Sequence, residues 1–210
     1  ARAAVGLADP TDVELEYISQ ARSDHCNHNT FRGRFIYEEG DGGESVVEDN
    51  LFKTFIEAPT LALQKKKTWV VSVLWDNAGA GRFDEDHYYT ITGETHNSPS
   101  NMEAYGGAIT GIVGVNRDPF GTGRGADLLV NVWGYCFASP FHDGAPPRGL
   151  LHPRRIRDGV HAGVIDGGNQ SGIPYARGFE RFDDRYIGKP LVYCGTVGLL
   201  PAQVNGRPSE

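Results

Sequence analysis

Apolar Val13, Tyr17, Ile18 and Ala21 recur at helical spacing after Thr11, and Glu14 stands three residues beyond that threonine. The pattern predicts a helix opened by a capping box and fading near Ser23. Residues 31–38 read as a strand, followed by the acidic, glycine-rich turn EEGDGGE. A short helix is expected over 49–63. TWVVSVLW, residues 68–75, is rich in β-branched and aromatic types and predicts a strand. DNAGAGRFDED then reads as a loop, and 87–95 as a second strand that alternates at first. Residues 126–139 form a largely apolar and therefore buried strand, and 189–200 a closing one.

Two further stretches read as helices. Over 101–117 the apolar positions are Met102, Ala108, Ile109, Ile112, Val113 and Val115, and Asp118-Pro119 ends the run. A strand over 109–115 is the alternative. Gly107, Gly111 and Gly114 fall on one helical face. Each costs ~1 kcal/mol relative to alanine, so three together point to close approach, either of the sheet or of a ligand. Pro153 opens the other helix, which carries Ile156, Val160 and Val164 on one face and Arg154, Arg155 and Arg157 early. It is expected to end near Asp166, with DGGNQSGIP as a loop. Strands mixed with helices indicate an α/β or α+β fold.

Length supports one domain with its own core, placed over 11–200, with 1–10 and 201–210 as linkers. The chain begins at Ala1, and its tail is polar with two prolines. Both ends read as cuts or linkers in a longer protein. The 28 glycines cluster in short loops without a period, which excludes collagen-like and low-complexity sequence. A net charge of −7 argues against a nucleic-acid partner. Lys65, Lys66 and Lys67 read as a solvated strand entry. Cys26, Cys136 and Cys194 are odd in number, far apart and without a CxxC pair, which argues against zinc and for a reduced, cytoplasmic setting. Neither a signal peptide nor an apolar run of membrane-spanning length is present, so no membrane role is expected.

Two stretches carry candidate chemistry. In SDHCNH, residues 23–28, a Cys26 nucleophile activated by His25 is disfavoured, because neighbours on a helix point about 100° apart. His25 acting on a proton or on developing negative charge is the better reading, with a histidine that merely complements the helix dipole as the alternative. In GETHNSPS, residues 93–100, no apolar residue appears. Glu94 and His96 share one strand face. Glu94 and Asp118 together are the oxygen donors that Mg²⁺ commonly takes from a protein, leaving room for water and phosphate. Arg117 suits a phosphate or carboxylate. An ion pair between Glu94 and Arg117 is the competing use. Neither a phosphate-loop pattern nor the dinucleotide fingerprint occurs.

The stretches DPTDVELEYISQARSDHCNH, GETHNSPS, YGGAITGIVGVNRDPFGTG, LLHPRRIRDGV, GGNQSGIP and GKPLVYCGTVGLLP run in one order over residues 9–208. Together they resemble the phosphoribosylformylglycinamidine synthases, the amidotransferases of purine biosynthesis. The part matched is the N-terminal domain of the synthetase module, similar in fold to aminoimidazole ribonucleotide synthetase, selenophosphate synthetase and thiamine monophosphate kinase. That resemblance implies a mixed sheet packed by helices, pairing with a second copy into a barrel, and a C-terminal domain after residue 210. It implies ATP and Mg²⁺ as cofactors and formylglycinamide ribonucleotide as substrate. It further implies a glutaminase domain or subunit supplying ammonia, and a second synthetase-like domain or homodimer through the sheet. By position, His25 and His96 match catalytic histidines, His96 as proton acceptor. Glu94 and Asp118 match metal ligands. Thr95, Asn97, Ser98 and Arg117 match substrate contacts, and Gly107, Thr110, Gly111, Gly114 and Asp118 match an ATP-contacting segment. Thr92 and Asn29 stand where the family commonly has lysines, and Ser98 where many members have a second histidine. The missing lysines favour an alternative reading, a non-catalytic nucleotide-binding copy of the same domain.

Overall fold

The computed structural model describes residues 6, 9–22, 29–40, 42–43 and 46–209. It divides into two units, residues 1–63 and 64–210. In the first, helix α1 (Asp12–Ala21) opens on the expected capping box. The Thr11 hydroxyl accepts from the Glu14 N–H at 3.2 Å, and the Glu14 carboxylate accepts from the Thr11 N–H at 2.9 Å. A four-residue helix α2 (Asn29–Arg32) replaces the first part of the expected strand, so strand β1 is only Phe35–Tyr37. Asn29 and Thr30 are helix-starting residue types, and they prevail over the two aromatics that suggested a strand. β1 pairs antiparallel with β2 (Val46–Glu48). The helix expected over 49–63 is present as a π-helical turn, Lys53–Glu57, continuing into α3 (Ala58–Gln64).

The second unit is built on six strands: β3 (Val70–Ser72), β4 (Ala80–Arg82), β5 (His87–Thr95), β6 (Asp127–Phe137), β7 (Tyr175–Phe182) and β8 (Leu191–Pro201). Their order is β3-β4-β5-β8-β6-β7. β6 and β7 are parallel, and every other neighbouring pair is antiparallel. Before β6 come the short helix α4 (Asn97–Met102) and the long α5 (Ala104–Gly121); α6 (Pro153–Ser171) connects β6 to β7. Ala108, Ile112 and Val115 of α5 and Ile156, Val160 and Val164 of α6 pack with Tyr135, Phe137, Val192 and Cys194 from the sheet. The sheet thus has one helix-covered face.

The helices approach closely. A Cβ on Gly163 would lie 2.3 Å from the Tyr105 carbonyl oxygen, and one on Gly159 2.7 Å from the Ala104 Cβ. Approach of α5 at this range, to its backbone at Gly163 and to the Ala104 methyl at Gly159, requires glycine on α6.

Several boundaries differ from expectation. Of 68–75 only three residues pair; Trp69, Leu74 and Trp75 are exposed at the sheet edge, where pairing is available on one side only. β4 is too short to show a period. β7 lies in a stretch to which the pattern assigned no element, because YARGFERF puts glycine and charge among its aromatics. α6 runs past Asp166 to Ser171, and Gly172 at φ 71° closes it in the left-handed region. α5 is a helix, not a strand, and passes through Asp118-Pro119 to Gly121. Pro119 has no N–H for the Val115 carbonyl. The Thr92 hydroxyl from β5 donates to that carbonyl instead, at 3.3 Å. Residues 201–210, expected as a linker, include a small hairpin of β9 (Gln203–Val204) and β10 (Arg207–Pro208).

Candidate functional site

β5 alternates through the sheet. Thr92 reaches α5, so Glu94 is on the same helix-facing side, while Ile91, Gly93 and Thr95 belong to the other face. The expected loop after β5 is instead helical at once. His96 is the N-cap residue of α4, and Pro99 sits in its first turn, where a missing N–H costs nothing. Six residues, four of them Asn or Ser, are too few to show a helical period, which is why sequence pattern missed α4.

His96 is held at four points. Its N–H donates to the Val192 carbonyl at 2.9 Å. Its own carbonyl accepts from the Ser100 hydroxyl at 2.5 Å. Its Nδ1 faces the carbonyl oxygen of Gly107. Its Cβ lies where a side chain on Gly111 would go, 2.7 Å from an ideal Cβ there. Gly107 is equally confined, with an ideal Cβ 2.5 Å from the Pro99 carbonyl carbon. Gly114 is different: nothing lies within 4 Å of its ideal Cβ. The three glycines of that face therefore differ in surroundings. Gly107 and Gly111 serve packing, and Gly114 leaves open space. Asp118, half-buried, lies on that same face by helical spacing.

Asn97 fixes the start of β8, its Oδ1 accepting from the Val192 N–H at 2.8 Å. Thr95, Ser98, Thr110 and Arg117 are exposed. The Thr110 hydroxyl donates to the Gly106 carbonyl at 2.9 Å. Arg117 makes no ion pair among the described residues, so the competing pair with Glu94 does not form. His25 lies outside the described residues. The structure thus brings Glu94, His96 and the glycine face of α5 together at one end of the sheet; Thr95 belongs to the opposite face and Arg117 to another side of the helix.

Three residues at this site escaped the sequence reading. Ser100 is buried and ties α4 to His96. Glu103 caps α5 through the Gly106 N–H, although glutamate is not a usual cap and carries no strong signal. Cys194 lies opposite Glu94 in the strand register. Burial, with the Glu94 charge as a lesser cause, pushes its thiol up to about 12, so it stays protonated. Among the described residues, no group of three or more His, Cys, Asp or Glu side chains could hold a metal by itself. None of the described helices is long and apolar enough to cross a membrane.

A two-layer α/β domain with a polar strand-to-helix turn abutting a glycine-bearing helix is the class that fold and site define. Residues 75–200 match the family model described as AIR synthase related protein, N-terminal domain, and the chain belongs to that family. It is 33% identical over 193 residues to the phosphoribosylformylglycinamidine synthase subunit PurL of Thermoplasma volcanium, covering 91% of this chain and 22% of that protein. To the same-named subunit of Gluconobacter oxydans it is 38% identical over 190 residues, 90% of this chain and 21% of that protein. The chain therefore spans about a fifth of the length of these relatives. Among solved structures it resembles Thermotoga maritima PurL complexed with ADP, with TM-score 0.61 and 24% identity over 95% of this chain and 26% of that one. That likeness establishes the fold.

Proposed function

We propose that the chain is the nucleotide- and substrate-binding N-terminal half of a synthetase module that makes formylglycinamidine ribonucleotide. In this reading ATP phosphorylates the amide oxygen of formylglycinamide ribonucleotide, and ammonia from glutamine displaces the phosphate. The curated relatives named above carry that synthase name. Thermotoga maritima PurL has been solved with FGAR and with ATP. The observation that carries the reading is local: Glu94 and His96 lie on one side of the sheet, against the glycine face of α5 that ends in Asp118.

His96 is the proton acceptor in this reading, with His25 as the second catalytic histidine. Asn97 and Ser98, at the turn itself, contact substrate, whereas Thr95 and Arg117 lie apart from Glu94 and His96. Thr110, Gly114 and Asp118 border the nucleotide, and the open space at Gly114 suits that role, whereas the space at Gly107 and Gly111 is taken by α4 and His96. Two carboxylates, Glu94 and Asp118, fit Mg²⁺, which keeps several waters and takes substrate phosphates; a full protein cage is not needed. When bound, the ion neutralises phosphate charge.

The partners follow the same reading: a glutaminase domain or subunit, and a second synthetase-like domain or second copy on the sheet. The face away from the helices supports the latter. It is lined by Val132, Gly134, Phe179, Tyr193 and Gly195 around a depression of about 640 Å³. Ile91 on this face is 63% exposed. Arg177 and Arg181 border the same depression, so this is an apolar patch edged by positive charge, and such a patch suits burial against another sheet. A cytoplasmic setting fits a step of nucleotide synthesis.

Thr92 and Asn29 support a second reading, a non-catalytic copy that binds nucleotide or only shapes the assembly. Turnover by the full-length protein decides between them. Glu94→Gln and His96→Gln each lower kcat by roughly 10²-fold or more if the site is catalytic. Undiminished turnover in both variants sinks the catalytic reading.

A further inference from the structure

A carbonyl oxygen can only accept a hydrogen bond. The Gly107 carbonyl faces His96 Nδ1, so the proton of the neutral imidazole must sit on Nδ1. Nε2 is then the ring's lone-pair nitrogen, and it has no hydrogen bond among the described residues. Free histidine side chains favour the opposite form, with the proton on Nε2. We infer that Gly107 and Gly111 are positioning residues that set the His96 tautomer, leaving Nε2 as the atom able to take a proton.

The geometry makes both glycines necessary. Gly107 supplies the acceptor, and it can do so only because α4 approaches closely. A Cβ on residue 107 would stand 2.6 Å from both the Pro99 oxygen and the Ser100 nitrogen. These are backbone atoms, so α4 would have to move, and His96 with it. Gly111, one turn on, leaves room for the His96 Cβ; a methyl there would also lie 3.3 Å from its Cγ. Backbone bonds to Val192 and from Ser100 fix the residue's main chain, so the ring has little freedom to escape sideways. Such fixing of one ring nitrogen by a bond to the other is the usual way a protein chooses an imidazole's working atom.

This inference deepens the proton-acceptor reading of His96 and takes its chemical meaning from it, but its test needs no activity. The chain contains a built-in control. His152 Nδ1 accepts from the Arg154 N–H at 3.2 Å, and its Nε2 lies 3.0 Å from the His142 carbonyl oxygen. By the same rule His152 carries its proton on Nε2, the reverse of His96.

The experiment is long-range ¹⁵N–¹H correlation NMR of the ¹⁵N-labelled chain at about pH 8, above the usual histidine range, with His96→Gln used to assign the signal. The expected spectrum has His96 protonated on Nδ1 and His152 on Nε2. In Gly111→Ala the His96 pattern moves to the Nε2-protonated form while that of His152 stays, which shows that the fold persists. Wild-type His96 protonated on Nε2 overturns the inference, and so does a folded Gly111→Ala with the His96 pattern unchanged. Loss of the catalytic reading would look different: His96 protonated on Nδ1, as expected here, beside a full-length His96→Gln protein that still turns over.

Discussion

The Thr92 hydroxyl donates to the Val115 carbonyl at 3.3 Å, and Pro119 is the reason that carbonyl is available. A proline inside a helix removes the donor that residue i−4 would have used. Thr92 restores it from the neighbouring strand and ties β5 to α5 just below Glu94. Thr92→Val keeps the shape and removes the hydroxyl. It should cost about 1–2 kcal/mol, the usual penalty for stranding a buried acceptor. Urea unfolding measures it. An unchanged midpoint would show that the carbonyl finds another donor and that Thr92 is only a filler.

The glycines of the paired helices make a contrasting prediction. Gly163→Ala sets a methyl against the Tyr105 carbonyl, which belongs to backbone and cannot turn aside. It should destabilise by about 1–3 kcal/mol, as overpacking does. Gly114→Ala meets nothing within 4 Å. It should stabilise by about 0.5–1 kcal/mol through helix propensity alone. If Gly114 borders nucleotide, the same substitution weakens ATP binding in the full-length protein. Stability and affinity then move in opposite directions, which a packing role for Gly114 does not produce.

Asp183 gives a pH dependence with a defined sign. Its carboxylate accepts from Arg185 Nε at 2.9 Å and Nη2 at 2.8 Å, and also caps a short 3₁₀ turn, Asp184–Tyr186. Chiefly because of the Arg185 guanidinium, its pKa falls from 3.8 to about 2. A carboxylate depressed on folding contributes stability that is fully present above 3.8 and is lost as pH falls through about 2. The pair is exposed, so the contribution is small and weakens with salt. A carbon-detected NMR titration of the folded chain should place Asp183 below the other exposed aspartates, and Arg185→Gln should return it toward 3.8. No movement in that variant would assign the shift to the backbone cap.

What could be read from sequence followed the strength of local pattern. The Thr11–Glu14 capping box appears at the residues that encode it, because both partners are local. β5 spans the same residues as the alternation over 87–95. The glycine face of α5 was legible because helical spacing alone creates it. The failures are tertiary in origin. Pro119 reads as a helix end, but a hydroxyl from another strand lets the helix continue. β7 carries no clean period because Gly178 must lie under the Trp133 ring; an ideal Cβ there would be 1.9 Å from it. The site shows the same division. Glu94 and His96 stand out by composition, whereas Ser100 and Glu103 look ordinary until α4 and α5 are folded.

Thr92 also decides how the missing lysine should be tested. Its side chain lies on the helix-facing side of β5 two residues before Glu94, where the resembling family commonly places a cation for phosphate. Thr92→Lys gives up a hydroxyl bond worth about 1 kcal/mol and offers an ammonium to any phosphate held near Glu94. Calorimetric titration with a non-hydrolysable ATP analogue and Mg²⁺ reads the balance, in the full-length protein and in the chain alone. If this is a nucleotide site, Thr92→Lys tightens binding by about tenfold, the equivalent of roughly 1.4 kcal/mol. Glu94→Gln removes the Mg²⁺ dependence in both backgrounds. Failure of Thr92→Lys to bind in either protein would mean that no phosphate lies within reach of this strand end, and the domain would then be a structural copy.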